Sequence, residues 1–540
     1  MHETETEPSS RDRRDFRVAV VGGGPVGLTA AALLAARDVP VVLVERNART
    51  SDDAKAISMD AESVRTLHQC GLGEQVRRTV LPGSGVRFHD RRGRPLFQAR
   101  GAGPYVFGHA VKSQFSQPEL EAMLFDWLKN RPGVDVRMST ECVSYEQDGT
   151  GVTLRLRTAG GDEEDLRADY LIGCDGGRSG IRTQAGIQMQ GRSFDDVWLV
   201  ADTVGDQHDD RCSMHFGNPV RPYVIVPGKE GRCRYEFLLR PGEGKAGEKP
   251  DFELVRRLLS PFRDITPDQL ERAVNYRFHG LIAERWQSGR VFLAGDAAHM
   301  MPPFAGQGLN SGIRDVANLC WKLALVGNGT ARPALLESYE QERRPHAEAT
   351  VLASVRQGEI FMTTDQRRAH SRDVAVRAML RIPRTRDYLE RLQYLPRARF
   401  TQGWLAPGAD PLIGGAFEQP RIQDPDGVES RLDTVLGEDF ALLGIDVTED
   451  DWTTVRRTLP VLPLREVDVV LGDRRPRRGG PRIAVGDADG DLERLLEGRS
   501  GSFVLLRPDR YVAAVFSAWQ STATARALSA HLSRIERNTA

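Results

Sequence analysis

Hydrophobic positions change period several times along this chain, and each change marks a structural element. Residues 18–21 (VAVV) and 41–44 (VVLV) are unbroken apolar runs, the pattern of parallel strands buried on both faces. Between them GGGPVG opens into the Ala/Leu-rich LTAAALLAAR. This predicts a strand, a glycine turn, a helix and a second strand, a βαβ unit of about thirty residues. DAESVRTLHQCGLGEQV and PELEAMLFDWLKN follow with helical spacing, VTLRLRT alternates as a strand, and ADYLIGCDGG is another buried run. From residue 202 to 285 the runs become short and alternating, as in YVIVPG and CRYEFLLRPGE. Tyr, Phe and Val between turn residues predict a mostly antiparallel sheet there. RVFLAGD returns to buried-strand character, and helical tracts continue after residue 309. The Pro/Gly-rich WLAPGADPLIGGAFEQP reads as a boundary, and strands alternate with helices beyond residue 421.

These changes predict an α/β chain, more fully an α+β multidomain one. A polar tail (1–15) reads as disordered. A Rossmann-like domain takes residues 16–201, with a small substrate-side insertion near 80–112, and resumes at 286–405 with long helices. The antiparallel sheet domain occupies 202–285 between its two parts. A linker (406–420) leads to a C-terminal domain (421–540). Such a length exceeds one compact core.

Composition narrows the function classes. Lys and Arg (74) balance Asp and Glu (75), so nothing in the bulk charge favours nucleic acid or an anionic membrane. No apolar run approaches the roughly 20 residues that span a bilayer, and the N-terminus lacks an apolar signal core. The six cysteines form no CxxC pair and no zinc-like spacing, which predicts free thiols, no metal site and a cytoplasmic setting.

The glycines carry the first chemistry. Gly22, Gly24 and Gly27 have G-x-G-x-x-G spacing after a strand and before a helix. There the first makes the tight turn, the second admits a pyrophosphate and the third lets helix and strand pack. Phosphate oxygens would meet free N–H groups at the positive end of the helix dipole. Glu45, at the end of the second strand, is placed to bind an adenosine ribose. One such unit does not separate NAD from FAD. The stretch RVFLAGDAAHMMPPFAGQGLNSGIRD (290–315) supplies a second grip suited to a flavin. Asp296 ends a strand where a ribityl hydroxyl could bond to it, and Gly295 permits close approach. Pro302 and Pro303 make a wall, while Gly306 and Gly308 leave N–H groups free at a helix start. His299 reads as a local structural hydrogen bond.

The trio GGGPVG, GCDGGRSGIR and GDAAHMMPPFAGQGLN resembles the single-component, class A FAD-dependent aromatic hydroxylases. Within them the chain is similar to 3-(3-hydroxyphenyl)propionate hydroxylases and related phenol hydroxylases, through stretches such as AKAISMDAESVRTLHQCGL and LLRPDRYVAA. The resemblance implies non-covalent FAD, NADPH or NADH as co-substrate, and hydroxylation of a small phenol by O2 through a C4a-hydroperoxyflavin. It implies that Asp175 and Gly176, with Arg178 less securely, lie near the cofactor phosphates. Arg46, Lys55, Gln117, Leu309 and Asn310 join the cofactor set. Pro302 and Gly306 form the catalytic wall, close to Phe304 and Ala305. On the antiparallel sheet Arg221, Tyr223 and Tyr235 are candidate substrate contacts, with a structural place on the other face as the alternative, since strand residues alternate faces. A thioredoxin-like C-terminal domain without CxxC and a homodimer complete the expectation. Two departures bear on substrate: Lys55 stands where arginine is common, and PPFAGQG replaces a bulkier VWQGQG-like loop. A tailoring hydroxylase of a larger polyketide or antibiotic phenol is the alternative. A two-dinucleotide reductase would need a second G-x-G-x-x-G and usually a CxxC, and the chain has neither.

Overall fold

A computed structural model describes residues 16–53, 55–83, 85–99, 105–208, 210–460, 462–472, 474–476 and 478–533. The tail expected at 1–15 lies outside them. The apolar runs build a six-stranded sheet in the order Val134–Arg137, Val41–Val44, Val18–Val21, Tyr170–Gly173, Val291–Leu293, Gln287–Ser288. The first five strands are parallel and the last is antiparallel. Val18–Val21, Val41–Val44 and Tyr170–Gly173 are buried at every position, which is why no alternation shows in them. Helix Pro25–Ala35 packs on this sheet and against the long helix Gly308–Gly327. That approach depends on Gly312, where a Cβ would stand 2.6 Å from Val26 Cγ2. A side meander of three antiparallel strands spans Thr140–Gln147, Val152–Thr158 and Glu163–Ala168.

The second sheet has eight strands, ordered His299–Met300, Leu270–Ala283, Met189–Thr203, Cys233–Leu238, Tyr223–Pro227, Ser213–Phe216, Val86–His89, Pro95–Ala99. All neighbours are antiparallel except Ser213–Phe216 with Val86–His89. The expected bounds of 202–285 are therefore too narrow. The sheet begins at Met189 and borrows two strands from the region near 80–112. The N-terminal half of Met189–Thr203 reads MQGRSFDD and is largely exposed, so it carries no apolar period. The parallel pairing with Val86–His89 is a long-range register that no local pattern encodes.

The C-terminal sheet has seven strands. Phe440–Ile445, Leu464–Val470 and Ile483–Asp487 run parallel, and Ser502–Leu506 and Val512–Ser517 extend it antiparallel beside the first. Helices Glu449–Thr458 and Ser521–Ser529 cover one face, burying Trp452, Val455 and Leu528. The stretch 406–420, expected as a linker, is irregular but packed: Ala406, Ile413 and Phe417 are buried. Trp321 of the long helix shares a core with Trp404 and Phe440, so this unit is fused to the first domain.

At that junction Glu342 has no exposed side chain. Its carboxylate accepts from Lys322 Nζ at 2.8 Å, Asn318 Nδ2 at 2.7 Å and Arg507 at 2.9 and 2.8 Å. The backbone N–H of Trp404 donates to it at 2.8 Å. Burial alone would raise the Glu342 carboxyl, but the Arg507 and Lys322 charges outweigh it and hold the group at about 2. The pairing is fully present above the unfolded carboxyl value near 4.3 and is lost as pH falls toward 2. Glu342→Ala strands buried cations, and the expected loss is about 3–5 kcal/mol in urea unfolding at pH 7. A loss below about 1 kcal/mol, the range of exposed pairs, would show that the junction does not depend on this carboxylate.

Candidate active site

The glycine turn is built as its spacing requires. Gly22 has φ +110°, and a Cβ there would lie 2.4 Å from the Cys174 carbonyl oxygen. A Cβ on Gly27 would lie 1.9 Å from the Gly22 oxygen, so the third glycine sits behind the wall and sets the packing. Gly24 is different: no heavy atom lies within 4 Å of its Cβ position. It opens into a cavity of about 740 Å³. Helix Pro25–Ala35 begins at that opening with no side-chain cap, leaving first-turn N–H groups for an anion. Glu45 borders the same cavity. Its Oε2 accepts from Gly23 N at 2.6 Å and its Oε1 from Asn47 N at 2.8 Å. The acid thus clamps the turn; Oε1 also accepts from Asn47 Nδ2 at 2.6 Å, so capacity for a further donor remains on Oε2.

Arg46, Lys55, Gln117, Asp175, Gly176 and Arg178 also line this cavity. Asp175 accepts from Ser179 Oγ and from Ile181 N, so its strand-end carboxylate fixes the second glycine turn. Gln117 bridges Ala56 N (2.6 Å) and Glu121 Oε1 (2.7 Å), holding the segment that carries Lys55.

Across the cavity lies the loop read from the sequence as the second grip. Asp296, Pro303, Phe304, Gly306, Gly308 and Leu309 face the void. The Asp296 carboxyl opens onto the cavity but is surrounded by protein. Burial raises its pKa, an effect that the His299 and Lys55 charges only partly offset. Among the described residues no protein donor meets this carboxylate. An acceptor without a protein donor, exposed to the void, fits a ligand hydroxyl.

Three expected residues stand one layer back. Gly295 donates its N–H to Asp315 Oδ2 at 3.1 Å. Pro302 is buried outside the cavity lining. Asn310 accepts from Asp60 N (2.9 Å) and Ser63 Oγ (2.8 Å) and donates to the Gly306 oxygen (2.7 Å). It shapes the wall, because its side chain is spent on protein groups. His299 bonds Asp315 at 2.7 Å in a fully buried pair, the structural role read for it.

Arg221, Tyr223 and Tyr235 are corrected: none faces the cavity. Arg221 forms a bidentate pair with Glu243 at 2.7 and 2.8 Å. Tyr223 stacks on Phe216, and Tyr235 donates its hydroxyl to Asp206 at 2.6 Å. Successive strand residues point to opposite faces, and the inward set is Val224, Val226, Arg234 and Glu236. The strand CRYEFL is buried at all six positions, and the two charges inside it were the overlooked signal. Arg234 is held by Asp202 at 2.7 and 3.1 Å. Burial raises the Glu236 carboxyl, with Arg234 opposing. Lys112, Ser213, His215 and Tyr276 also line this end and were missed. Lys112 stands at a strand start with no motif around it.

A glycine turn on an uncapped helix, two strand-end acids and an unpartnered carboxylate across one cavity define a dinucleotide-binding flavoprotein site. The comparisons narrow this class. Residues 15–354 match the model of the FAD binding domain family, and residues 414–531 match the HcaD C-terminal domain. The 3-(3-hydroxy-phenyl)propionate/3-hydroxycinnamic acid hydroxylase of Mycobacterium sp. (strain JLS) is 36% identical over 97% of this chain and 93% of its own. The protein of that name from Burkholderia cenocepacia (strain HI2424) is 33% identical over 94% of both chains. Among solved structures, the flavin-dependent monooxygenase PieE with FAD and substrate superposes with TM-score 0.80 at 24% identity, covering 95% of this chain and 99% of its own. Aklavinone-11 hydroxylase with FAD and aklavinone gives 0.76 at 23%, covering 95% and 98%. The chain belongs to the FAD-binding aromatic hydroxylase family.

Two substitutions test the cradle. Gly24 has φ −75° and ψ −179°, which any residue adopts, and open space beyond. Gly24→Val should therefore fold and yet be isolated colourless, its side chain filling the phosphate position. Asp296→Ala loses a charged hydrogen bond worth roughly 1.5–3 kcal/mol, about 10- to 100-fold in FAD affinity. Flavin absorbance per chain and FAD titration of the apoprotein measure both. Full flavin content in Gly24→Val would place the phosphates elsewhere.

Proposed function

We propose that this protein is an NAD(P)H- and O2-dependent monooxygenase that hydroxylates a small phenol carrying a carboxylate side chain, of the 3-(3-hydroxyphenyl)propionate type. One observation carries the reading: a single cavity runs from the glycine turn to the inner face of the eight-stranded sheet. Cofactor cradle and aromatic-sized chamber are continuous. The names of the 33–36% identical relatives support the small-phenol reading over a polyketide substrate. The polyketide-type neighbours, PieE at 24% and aklavinone-11 hydroxylase at 23%, speak to the fold alone. Six unpaired cysteines agree with a reducing compartment such as the cytoplasm. No helix among the described residues is long and apolar enough to cross a membrane.

Reduced by NAD(P)H, bound FAD supplies the activation of O2. The rest falls to the chain. Gly24 and the helix start would hold the phosphates, Gly176 would leave them room on the turn that Asp175 fixes, and Asp296 would hold the ribityl chain. Val200, Val224, Val226, Val274 and Phe278 give the chamber an apolar roof that fits a ring and excludes water. Phe304 closes one side, fixed edge-on against Trp198 and Phe278 at 5.5 and 5.4 Å. Its carbonyl is held by Gln357 Nε2 at 2.9 Å. Lys112, Ser213, His215, Arg234 and Glu236 bring polar contacts to the substrate end.

With 3-(3-hydroxyphenyl)propionate present, NAD(P)H oxidation should accelerate, and mass spectrometry should find a product heavier by one oxygen atom. No stimulation by any member of a phenol panel would overturn the reading. The loop has its own test. Gly306 has φ +62°, and a Cβ there would stand 2.9 Å from Ser58 Oγ. Gly306→Val must move the loop, and displacement of about 1 Å costs on the order of 10²-fold in a positioned reaction. NAD(P)H should then be consumed with release of H2O2 in place of product. Full coupling at normal flavin content would show that the loop only packs.

A further inference from the structure

Lys112 opens strand Lys112–Phe115 at the cavity wall. Its ammonium donates to Ser213 Oγ at 2.9 Å. Among the described residues it has no other hydrogen-bond acceptor and no ion-pair partner. An ammonium carries three donors, so two remain for whatever enters. The position matters as much as the valence: Nζ lies 3.9 Å from where a Cβ on Gly306 would be. The cation therefore meets the substrate at the loop, at the end of the chamber where the ring must react.

We propose that Lys112 is the residue that ionises the bound phenol: its amine takes the hydroxyl proton, and the ammonium so formed holds the phenolate against the 303–308 loop. The O–H bond breaks, an N–H bond forms, and the oxygen keeps the electron pair that activates the ring. This rests on the phenol-hydroxylase reading.

The surroundings are those of a tuned base. Burial pulls Lys112 down to about 8, with Glu236 and Cys212 opposing, so both protonation states are accessible near neutral pH. Other groups face it from the packed elements. Glu236 on Cys233–Leu238 is pushed toward its neutral form by burial, with Arg234 opposing. Burial, then the Lys112 and His89 charges, hold His215 at about 3, so the imidazole is neutral. His215 is buried with Nδ1 unpartnered, two residues from Ser213 on the same face. The Cys212 sulfur accepts from Gln98 Nε2 at 2.9 Å. Arg234 and Arg272 are both turned to Asp202. A free phenol titrates near 10, and a cation in contact lowers such an acid by about 1–3 units. Proton transfer to Lys112 thereby becomes nearly balanced.

The test uses the FAD-loaded protein and follows the phenolate absorption of bound 3-(3-hydroxyphenyl)propionate against pH by difference spectra. In the unaltered protein the midpoint should fall at least about one unit below that of the free ligand. Lys112→Met keeps the stem and removes the charge. It should return the midpoint to about 10 and cut hydroxylation at neutral pH on the order of 10²-fold, with activity recovering as pH rises. Lys112→Arg, a permanent cation, should keep the lowered midpoint while hydroxylation stays reduced. Wild-type midpoint and pH profile in a flavin-replete Lys112→Met would overturn the proposal. So would a defect confined to KM that vanishes with 3-propylphenol, since Lys112 would then bind the carboxylate. If Lys112→Met fails to take up FAD, Lys112→Arg decides, and an unshifted midpoint there refutes the role. If the unaltered protein binds no phenol, the hydroxylase reading falls too; if it hydroxylates and Lys112→Met does so equally, only this assignment falls.

Discussion

Asp315 lies in the long helix Gly308–Gly327 with no exposed side chain, and its carboxylate joins three elements. It accepts from Gly295 N at 3.1 Å, His299 Nε2 at 2.7 Å and Arg343 Nε at 3.0 Å. Burial alone would raise this carboxyl, but the His299 and Arg343 charges outweigh it and keep the acid ionised. An unpaired charge in that place would be far too costly to bury. The consequence is mechanical. A loop rich in glycine loses much entropy on ordering, yet the 295–308 wall must be fixed to present Asp296 and Gly306. Asp315 fixes its start, and Asn310 fixes its end through the Gly306 carbonyl. Both anchors lie outside the cavity, so the wall is set before any ligand arrives.

The eight-stranded sheet solves a second problem by period two alone. Its outer face takes Tyr223, Ile225, Tyr235 and Phe237 into a core with Val255 and Leu259. Its inner face takes Val224, Val226, Arg234 and Glu236 to the cavity. One strand pair therefore seals a hydrophobic layer and lines a reaction chamber, and a register slip of one residue would exchange the two. Arg234 ties this face to the cofactor side as well, donating to the Lys55 carbonyl at 2.8 Å. The lysine at position 55 thus contributes through its backbone, whatever its side chain does.

Much of this was legible in the residues. The βαβ unit, the glycine trio and the strand-end acids are local patterns, and each appears in the structure on the elements expected for it. Face assignment was not legible. In Tyr223–Pro227 and Cys233–Leu238 both faces are buried, so hydropathy does not alternate, and aromatic residues drew attention to the wrong side. Only the charges Arg234 and Glu236, improbable in a dry layer, marked the inward face. Lys112 gave no signal because its meaning comes from Ser213 and Gly306, distant in sequence. The same holds for Glu342, whose partners Lys322 and Arg507 come from separate elements.

Those long-range ties explain how the C-terminal unit bears on the site without touching the cavity. Tyr511 donates its hydroxyl to Glu62, which pairs with Arg314 of the long helix. Arg314 also grips Asp60, the N-cap of helix Ala61–Leu67. Asp60 donates its backbone N–H to Asn310, and Asn310 holds the Gly306 carbonyl. On the same helix Arg65 forms a bidentate pair with Asp433 at 2.6 and 2.7 Å. Every link is buried or half-buried, where an ion pair lacks solvent to replace its partner and breaking it is costly. The domain with no CxxC is therefore tied to the 303–308 loop by a continuous run of polar contacts through Glu62, Arg314, Asp60 and Asn310.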